Sequence, residues 1–265
     1  MRHISRAAAA VALALAGTIT TAPAFADTNA AENYVALGDS YASGVGTREY
    51  FEDSGDCKRS PKAYPQLWAD AHDVSNFSFV ACSGAVTDDV NSEQLDALSS
   101  ETTLVTISIG GNDIGFVDVI TGCLLNTDEG CADKVAEAEE KARDELPAKL
   151  EQTYANIRQA APNAEVVVLG YPRLNDLGDC SIPGYSEAKR ERINEGADVL
   201  AEIIQEQASA AGFTFADTRA AFDGHGVCSD DEWINGPSSP LAESFHPNTD
   251  GHAEGYLPVL TGITG

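Results

Sequence analysis

The chain has 265 residues and a formal net charge of −26 at pH 7. So acidic a surface repels phosphate backbones and anionic bilayers at long range, which excludes nucleic acid as the expected partner. A chain of this length can bury the core of one α/β domain of ordinary size.

The first 26 residues have the pattern of a secretory signal peptide. A basic start is followed by the apolar run Ala7–Ile19 and by a small-x-small cleavage signature, Ala-Phe-Ala, at 24–26. The run is too short to span a bilayer stably. We therefore predict a signal peptide over residues 1–26 and a single domain over 27–265. No later segment is apolar enough for a membrane helix, so we expect a secreted, extracellular protein without stable membrane insertion.

All six cysteines lie after the expected signal peptide. An even number of cysteines in an exported protein predicts disulfides, although the sequence alone leaves the pairing open. No two cysteines are spaced as C-x-x-C, so neither a zinc knuckle nor a redox motif is expected. The six are Cys57, Cys82, Cys123, Cys131, Cys180 and Cys228.

Hydrophobic patterning alternates between strands and helices along the chain. We expect strands over residues 34–37, 76–81, 102–109, 165–170 and 213–216. We expect helices over residues 61–72, 88–98, 132–161, 187–211 and 249–260. Pro147 either kinks the third helix or starts a new one, and residues 121–133 are expected to form a loop. This alternation predicts one doubly wound α/β domain.

Three expected strands end in small or polar residues. Gly-Asp-Ser ends at Ser40, Ser-Gly follows at 83–84, and Gly-Asn-Asp follows at 111–113. The carboxyl ends of parallel strands converge on one edge of the sheet, where ligands bind. His246 near the C-terminus adds a candidate base, which a serine hydroxyl needs to become a nucleophile.

Four short motifs, in this order, resemble those of the SGNH (GDSL) hydrolase family. They are Gly-Asp-Ser at 38–40, the glycine at 84, Gly-x-Asn-Asp at 110–113 and His-Pro at 246–247. The chain is similar to the secreted bacterial lipase/esterase branch, which also carries six cysteines. The resemblance implies a three-layer α/β/α sandwich with a five-stranded parallel sheet of the flavodoxin-like type.

The resemblance also assigns roles to individual residues. Ser40 would be the nucleophile, and His246 would be the general base and later the acid. The backbone N–H groups of Ser40 and Gly84 and the side-chain amide of Asn112 would form the oxyanion hole. By the same resemblance, the disulfides would be Cys57–Cys82, Cys123–Cys131 and Cys180–Cys228.

The sequence departs from the family pattern at the group that orients the histidine. The family commonly has Asp three residues before the histidine, where this chain has Glu243. Some secreted relatives instead orient the histidine through a backbone carbonyl two residues before it, which here belongs to Ser244. We favour the Ser40–His246 dyad oriented by that carbonyl and keep Glu243 as the alternative.

These observations predict a secreted serine hydrolase that cleaves carboxylic esters of lipids or other acyl compounds. We expect a monomer that needs neither a cofactor nor a metal. A phospholipase A-type enzyme or a carbohydrate acetyl esterase would use the same machinery. A metal-dependent phosphoesterase using Asp39 and Asp113 is a further alternative, although both are expected to accept backbone hydrogen bonds. The last alternative is a secreted binding protein without catalysis.

Other candidate side chains are expected to be structural. We interpret His225 as a solvated loop residue and His252 as a residue on a helix face, rather than as metal ligands. Trp233 and Phe245 either line an acyl pocket or pack beneath a long loop. We expect the acyl site to be built by the loops at 45–61, 121–133 and 174–185.

Overall fold

Five parallel strands form the sheet that positions the rest of the chain. The computed structural model describes residues 31–265, so the expected signal peptide lies outside the described residues. Residues 31–265 form one unit. The strands are β1 (Glu32–Gly38), β2 (Val74–Phe79), β3 (Leu104–Ser108), β4 (Glu165–Leu169) and β5 (Thr214–Ala216).

The strand order is β2-β1-β3-β4-β5, and every neighbouring pair is parallel. This is the flavodoxin-like order, so the predicted fold class is confirmed. All five residues of β3 are buried. A strand covered on both faces reads as a continuous β-branched and apolar run, which is the pattern of β3.

The helices fall into two groups, and the main helix–helix contacts lie within each group. One group joins α2 to α8, and the other joins α3, α4, α5, α6 and α7. The two groups form the outer layers of the expected sandwich. The helices are α1 (Ser40–Ser43), α2 (Tyr64–Ala71), α3 (Thr87–Asp89), α4 (Phe116–Leu125), α5 (Asp128–Asp144), α6 (Leu146–Ala160), α7 (Glu187–Ala210) and α8 (Leu257–Thr264).

The expected loop over residues 121–133 is wrong, because most of that segment is helical. It holds the end of α4 and the start of α5, which begins after the Thr127 cap. Gly122 interrupts the apolar run of this segment, which is a pattern typical of a loop. A Cβ at Gly122 would lie 2.7 Å from the Lys134 side chain. The glycine therefore serves close packing between the two helices rather than a turn.

Pro147 starts a helix of its own, as one of the two sequence interpretations has it. It lies in the first turn of α6, where the missing N–H has no partner to lose. The segment expected as a helix over 88–98 is irregular instead. After α3 it continues as a π-helical stretch, Val90–Gln94, and a 3₁₀ turn, Leu95–Ala97. A second π-helical stretch, Gly251–Tyr256, precedes α8.

The structure joins the six cysteines in three disulfides, Cys57–Cys82, Cys123–Cys131 and Cys180–Cys228. These are the pairs that the resemblance implies. Among the helices of residues 31–265, none combines the length and apolarity needed to cross a bilayer.

Candidate active site

Ser40 lies at the carboxyl end of β1, in the first turn of α1. The last residue of β1, Gly38, pairs with Ser108 at the end of β3, and the Asp39 N–H donates to the Ser108 carbonyl at 3.0 Å. The Asp39 side chain then accepts from the Tyr41 N–H at 3.0 Å and so caps α1. The strand end and the cap together fix the position of the serine hydroxyl.

Gly84 reaches the same edge through the chain that follows β2. The Cys82 N–H donates to the Gly38 carbonyl at 3.0 Å, and the Ser83 N–H donates to the Cys57 carbonyl at 3.0 Å. The Cys57–Cys82 disulfide ties down the same turn. Gly84 itself has a φ of +82°, a conformation that a residue with a Cβ adopts only with strain.

Asn112 comes from the end of β3. Its amide nitrogen donates to the Ala85 carbonyl at 3.0 Å, which orients the side chain and leaves its second N–H free to point elsewhere. Within residues 31–265, the backbone N–H groups of Ser40 and Gly84 donate to no other protein group. The three donors that the resemblance implies for an oxyanion are therefore brought to one edge of the sheet.

His246 is held against Ser40 by the long segment before α8. Its Nε2 lies 2.7 Å from the Ser40 Oγ. The His246 carbonyl accepts from the Asn235 N–H at 2.9 Å, and the Phe245 carbonyl accepts from the Tyr41 hydroxyl at 2.6 Å. The backbone on both sides of the imidazole is thus fixed to the neighbouring chain.

The second ring nitrogen of His246 contacts the main chain. Its Nδ1 lies 3.0 Å from the Ser244 carbonyl oxygen. A carbonyl can only accept, so Nδ1 carries the proton and Nε2 presents its lone pair to the Ser40 hydroxyl.

The Glu243 carboxylate is bound elsewhere. It accepts from the Tyr50 hydroxyl at 2.8 Å and forms an ion pair with Arg48 at 3.5 Å. The Tyr50 hydroxyl in turn accepts from the Gly46 N–H at 3.2 Å. Glu243 therefore joins the loop after α1 to the 3₁₀ turn Leu241–Glu243, and the hydrogen bond to Nδ1 of His246 comes from Ser244.

Burial lowers the pKa of His246 to about 4. The contact with the Ser244 carbonyl favours the protonated ring, but it offsets only part of the desolvation. At neutral pH the imidazole is therefore neutral, as a base must be.

A second polar network lies beneath the serine. The Tyr171 hydroxyl donates to the Asp39 carboxylate at 2.5 Å and accepts from the Gly111 N–H at 3.1 Å. Burial raises the pKa of Asp39 to about 7, against the lowering effect of the hydrogen bonds from the Tyr171 hydroxyl and the Tyr41 N–H. Neither tyrosine of the site, Tyr41 or Tyr171, was singled out from the sequence. Their signal is weak because a tyrosine beside a motif is more often part of the core.

All four candidate residues, Ser40, Gly84, Asn112 and His246, line one groove. The groove has a volume of about 490 Å³. Its apolar lining comes mainly from α4 and the segment before Ser244, not from the loops at 45–61 and 174–185. These apolar side chains are Phe116, Val117, Ile120, Leu124, Leu125 and Leu241.

A narrower apolar cavity of about 70 Å³ shares part of this lining. It contacts Ser40, Asn112, Phe116 and Ile120 and extends between α5 and α7. The segment expected at the acyl site over 121–133 does contribute Thr121, Leu124 and Leu125 to the groove, as part of α4. The first half of α4, at 116–120, is the part of the wall that the sequence interpretation missed.

The remaining candidate side chains lie outside the groove. Asp113 accepts from the N–H and hydroxyl of Thr87 and pairs with Lys149 at 3.3 Å. His225 stacks on Trp233, with ring centroids 3.6 Å apart. Within the described part of the chain, no three His, Cys, Asp or Glu side chains are grouped as metal ligands.

Two of the candidate side chains are fully buried. His252 is fully buried in the π-helical stretch, where its Nδ1 accepts from the Tyr64 N–H at 3.3 Å. Its interpretation as a residue on a helix face misses this burial. Phe245 is also fully buried and packs edge-on against Tyr185. Phe245 therefore belongs to the packing beneath the loop rather than to an acyl pocket.

Comparison with known proteins identifies the family. The model of the GDSL-like lipase/acylhydrolase family matches residues 36–254. Lipase 1 of Streptomyces coelicolor is 52 % identical over 234 residues, which cover 88 % of this chain and 87 % of that protein.

Two solved structures have the same fold throughout the described part of the chain. The extracellular lipase of Streptomyces rimosus and phospholipase A1 of Streptomyces albidoflavus each match with a TM-score of 0.85 and 47 % identity. In both cases the match covers 88 % of this chain and 99 % of the solved chain. With its nearly complete coverage by the family and its relatives, the chain belongs to the GDSL-like lipase/acylhydrolase family and is a carboxylic ester hydrolase.

Proposed function

We propose that the chain is a secreted lipase that cleaves carboxylic esters of lipids through an acyl-enzyme on Ser40. The observation that carries the proposal is the 2.7 Å contact between the Ser40 Oγ and the His246 Nε2. The Ser244 carbonyl supports it by fixing the tautomer in which that nitrogen accepts a proton.

The reaction follows from these contacts. His246 takes the hydroxyl proton as the Ser40 Oγ attacks the ester carbonyl, and the Ser244 carbonyl stabilises the imidazolium that forms. The N–H groups of Ser40, Gly84 and Asn112 would bind the oxyanion of the tetrahedral intermediate. His246 returns the proton to the leaving alcohol, which leaves an ester on Ser40. Water activated by the same imidazole then releases the acid.

The shape of the groove supports a lipid acyl chain as substrate. Its volume of about 490 Å³ and its apolar wall along α4 exceed what an acetyl group needs. The related extracellular lipase of Streptomyces rimosus supports secretion, as do the three disulfides of this chain. We propose a monomer, because the candidate site is complete within one chain.

Replacement of the serine tests the mechanism. Ser40→Ala should lower kcat on soluble p-nitrophenyl butyrate by roughly a millionfold, because it removes the attacking atom. An active-site phosphonate should label the unmodified enzyme and not the variant. The matched control is Ser92→Ala, which alters an exposed serine outside the groove and should keep both activity and labelling.

The same assay decides between the remaining alternatives. Hydrolysis of the butyrate ester that persists in Ser40→Ala, or that disappears with a chelator in the unmodified enzyme, would contradict the serine mechanism and favour attack by a metal-activated water. Hydrolysis that disappears in Ser40→Ala and is unaffected by the chelator would support the serine mechanism.

A phospholipase A-type activity is the second candidate function. It is favoured by the similarity to phospholipase A1 of Streptomyces albidoflavus, at 47 % identity and a TM-score of 0.85. A panel of triacylglycerol, phosphatidylcholine and acetylated xylan separates the lipase, the phospholipase and the carbohydrate acetyl esterase. We expect both lipids to be cleaved faster than the acetylated polysaccharide, because only they supply chains that fill the groove.

A further inference from the structure

The most exposed large apolar side chains of the described residues surround the groove. Val117, Leu125 and Leu241 are 64 %, 79 % and 72 % exposed. The other two exposed large apolar side chains in this part, Phe51 and Leu177, are 36 % and 42 % exposed and do not line the groove. A cluster of exposed apolar side chains indicates an interaction surface.

These three side chains, hereafter the apolar rim, come from two segments. Val117 and Leu125 lie near the two ends of α4, about 12 Å apart along the helix axis. Leu241 begins the 3₁₀ turn that leads to Ser244 and His246. The rim therefore borders the opening through which an ester reaches Ser40.

The rim borders an uncharged lining in a strongly acidic protein. The chain has 42 Asp and Glu residues, yet within residues 31–265 no Asp, Glu, Lys or Arg lines this groove. His246 is the one titratable group in the lining, and burial lowers its pKa to about 4. A groove lining without charge favours a partner that is apolar inside and has no net charge at its surface. The net charge of −26 opposes approach to an anionic surface.

We propose that the apolar rim inserts into the surface of aggregated zwitterionic phospholipid and holds the groove opening against it. This inference rests on the proposed function, because the groove must be the place where a lipid ester enters. The binding is peripheral, through side chains of α4 and of the turn at Leu241, with no change in the fold.

Vesicle binding tests the inference without hydrolysis. Ser40→Ala protein is mixed with phosphatidylcholine vesicles, and the bound fraction is measured by flotation. In that background, Val117→Ser, Leu125→Ser and Leu241→Ser should each weaken the partition constant by roughly tenfold. The triple variant should lose binding altogether. Phe51→Ser and Leu177→Ser, which alter exposed apolar side chains outside the rim, are the matched controls and should bind as before.

Two further measurements separate the lipid from other partners. Vesicles that contain phosphatidylglycerol should bind more weakly at low salt, and stronger binding to them would overturn the inference. Sedimentation velocity should show the same monomer for all variants. A dimer that disappears in the triple variant would assign the rim to a second copy of the chain and overturn lipid docking.

The result is distinguishable from failure of the proposed function. If the unmodified enzyme hydrolyses soluble p-nitrophenyl butyrate but the triple variant still binds vesicles, the docking inference is wrong and the serine mechanism stands. If soluble ester is not hydrolysed, the proposed function fails whatever the vesicles show. Circular dichroism of each variant excludes loss of the fold as the cause.

Discussion

At the scale of single residues, the structure distinguishes the two groups that could orient His246, the Glu243 carboxylate and the Ser244 carbonyl. Both Glu243 and Ser244 precede His246, and either could orient it. The structure gives the Nδ1 contact to the Ser244 carbonyl and binds the Glu243 carboxylate to Tyr50 and Arg48. The sequence could name both candidates but could not choose, because the choice depends on which way a buried side chain turns.

Glu243→Gln tests this separation. The amide keeps an oxygen for the Tyr50 hydroxyl, and the contact of His246 with the Ser244 carbonyl does not involve it. We therefore expect kcat/KM on p-nitrophenyl butyrate to stay within about threefold of the unmodified enzyme. Loss of the acid of a catalytic triad lowers kcat by about 10⁴. A loss approaching that size would identify Glu243 as the orienting group.

At the scale of elements, the site depends on links between strand ends. Tyr171, just after β4, contacts Asp39 after β1 and Gly111 after β3 through one hydroxyl group. Asp39 precedes Ser40, and Gly111 precedes Asn112. One side chain therefore sets the distance between the candidate nucleophile and the candidate oxyanion amide.

Tyr171→Phe tests this link. The change leaves the buried Asp39 carboxylate and the Gly111 N–H each without one partner, which should lower the free energy of unfolding by about 1–3 kcal/mol. Because the donors lose their fixed spacing, kcat should fall more than KM changes.

The matched control is Tyr154→Phe, which removes a buried hydroxyl that has no hydrogen-bond partner among the described residues. It should lower neither the free energy of unfolding nor kcat, because the hydroxyl that it removes has no hydrogen bond to lose. Equal losses in the two variants would mean that Tyr171 acts only through packing.

The elements also show where sequence patterns are reliable. The sequence predicts five strands because β-branched runs such as β3 are read directly from it, whereas the order of the strands in the sheet follows from the family resemblance. The second half of α4 falls in the segment expected as a loop, and Gly122 interrupts its apolar run there. The glycine has a tertiary reason, the close approach of Lys134 on α5, which no local pattern contains.

At the scale of the whole molecule, three buried titratable groups influence stability in opposite directions. Burial lowers the pKa of His246 to about 4 and that of His252 to about 3. Burial raises the pKa of Asp39 to about 7. Below about pH 6.5 the unfolded chain takes up protons on the histidines that the folded chain does not, so acid destabilises the fold. Between about pH 7 and pH 4, the folded chain keeps a proton on Asp39 that the unfolded chain has released. This difference opposes the destabilisation by acid.

His252→Asn should make stability less sensitive to acid. Between pH 7 and pH 4, it should reduce the loss in free energy of unfolding by about 3 kcal/mol, because one buried histidine no longer titrates. Urea unfolding at the two pH values measures this difference, whatever the variant does to stability at pH 7. Asp39→Asn should have the opposite effect and make the loss larger. An unchanged difference in both variants would contradict this account.

The whole chain also shows what sequence can predict of a site. Ser40, Gly84 and Asn112 can be proposed as site residues because short motifs follow parallel strands whose ends meet, and His246 can be proposed through the family resemblance. The sequence also predicts that Asp39 accepts a backbone hydrogen bond, which the Tyr41 N–H donates. The apolar rim and the contact of Asp39 with Tyr171 could not be predicted, because they depend on how distant segments pack.

The contact between His246 and the Ser244 carbonyl has a genetic consequence. A carbonyl of the main chain is encoded by no codon of its own, so any amino acid at position 244 supplies it. A mutational scan for loss of hydrolysis should therefore find intolerant codons at 40 and 246 and none that corresponds to an orienting acid. Compared with a gene that encodes an orienting acid, a gene with this arrangement has one fewer codon at which a single nucleotide change abolishes catalysis.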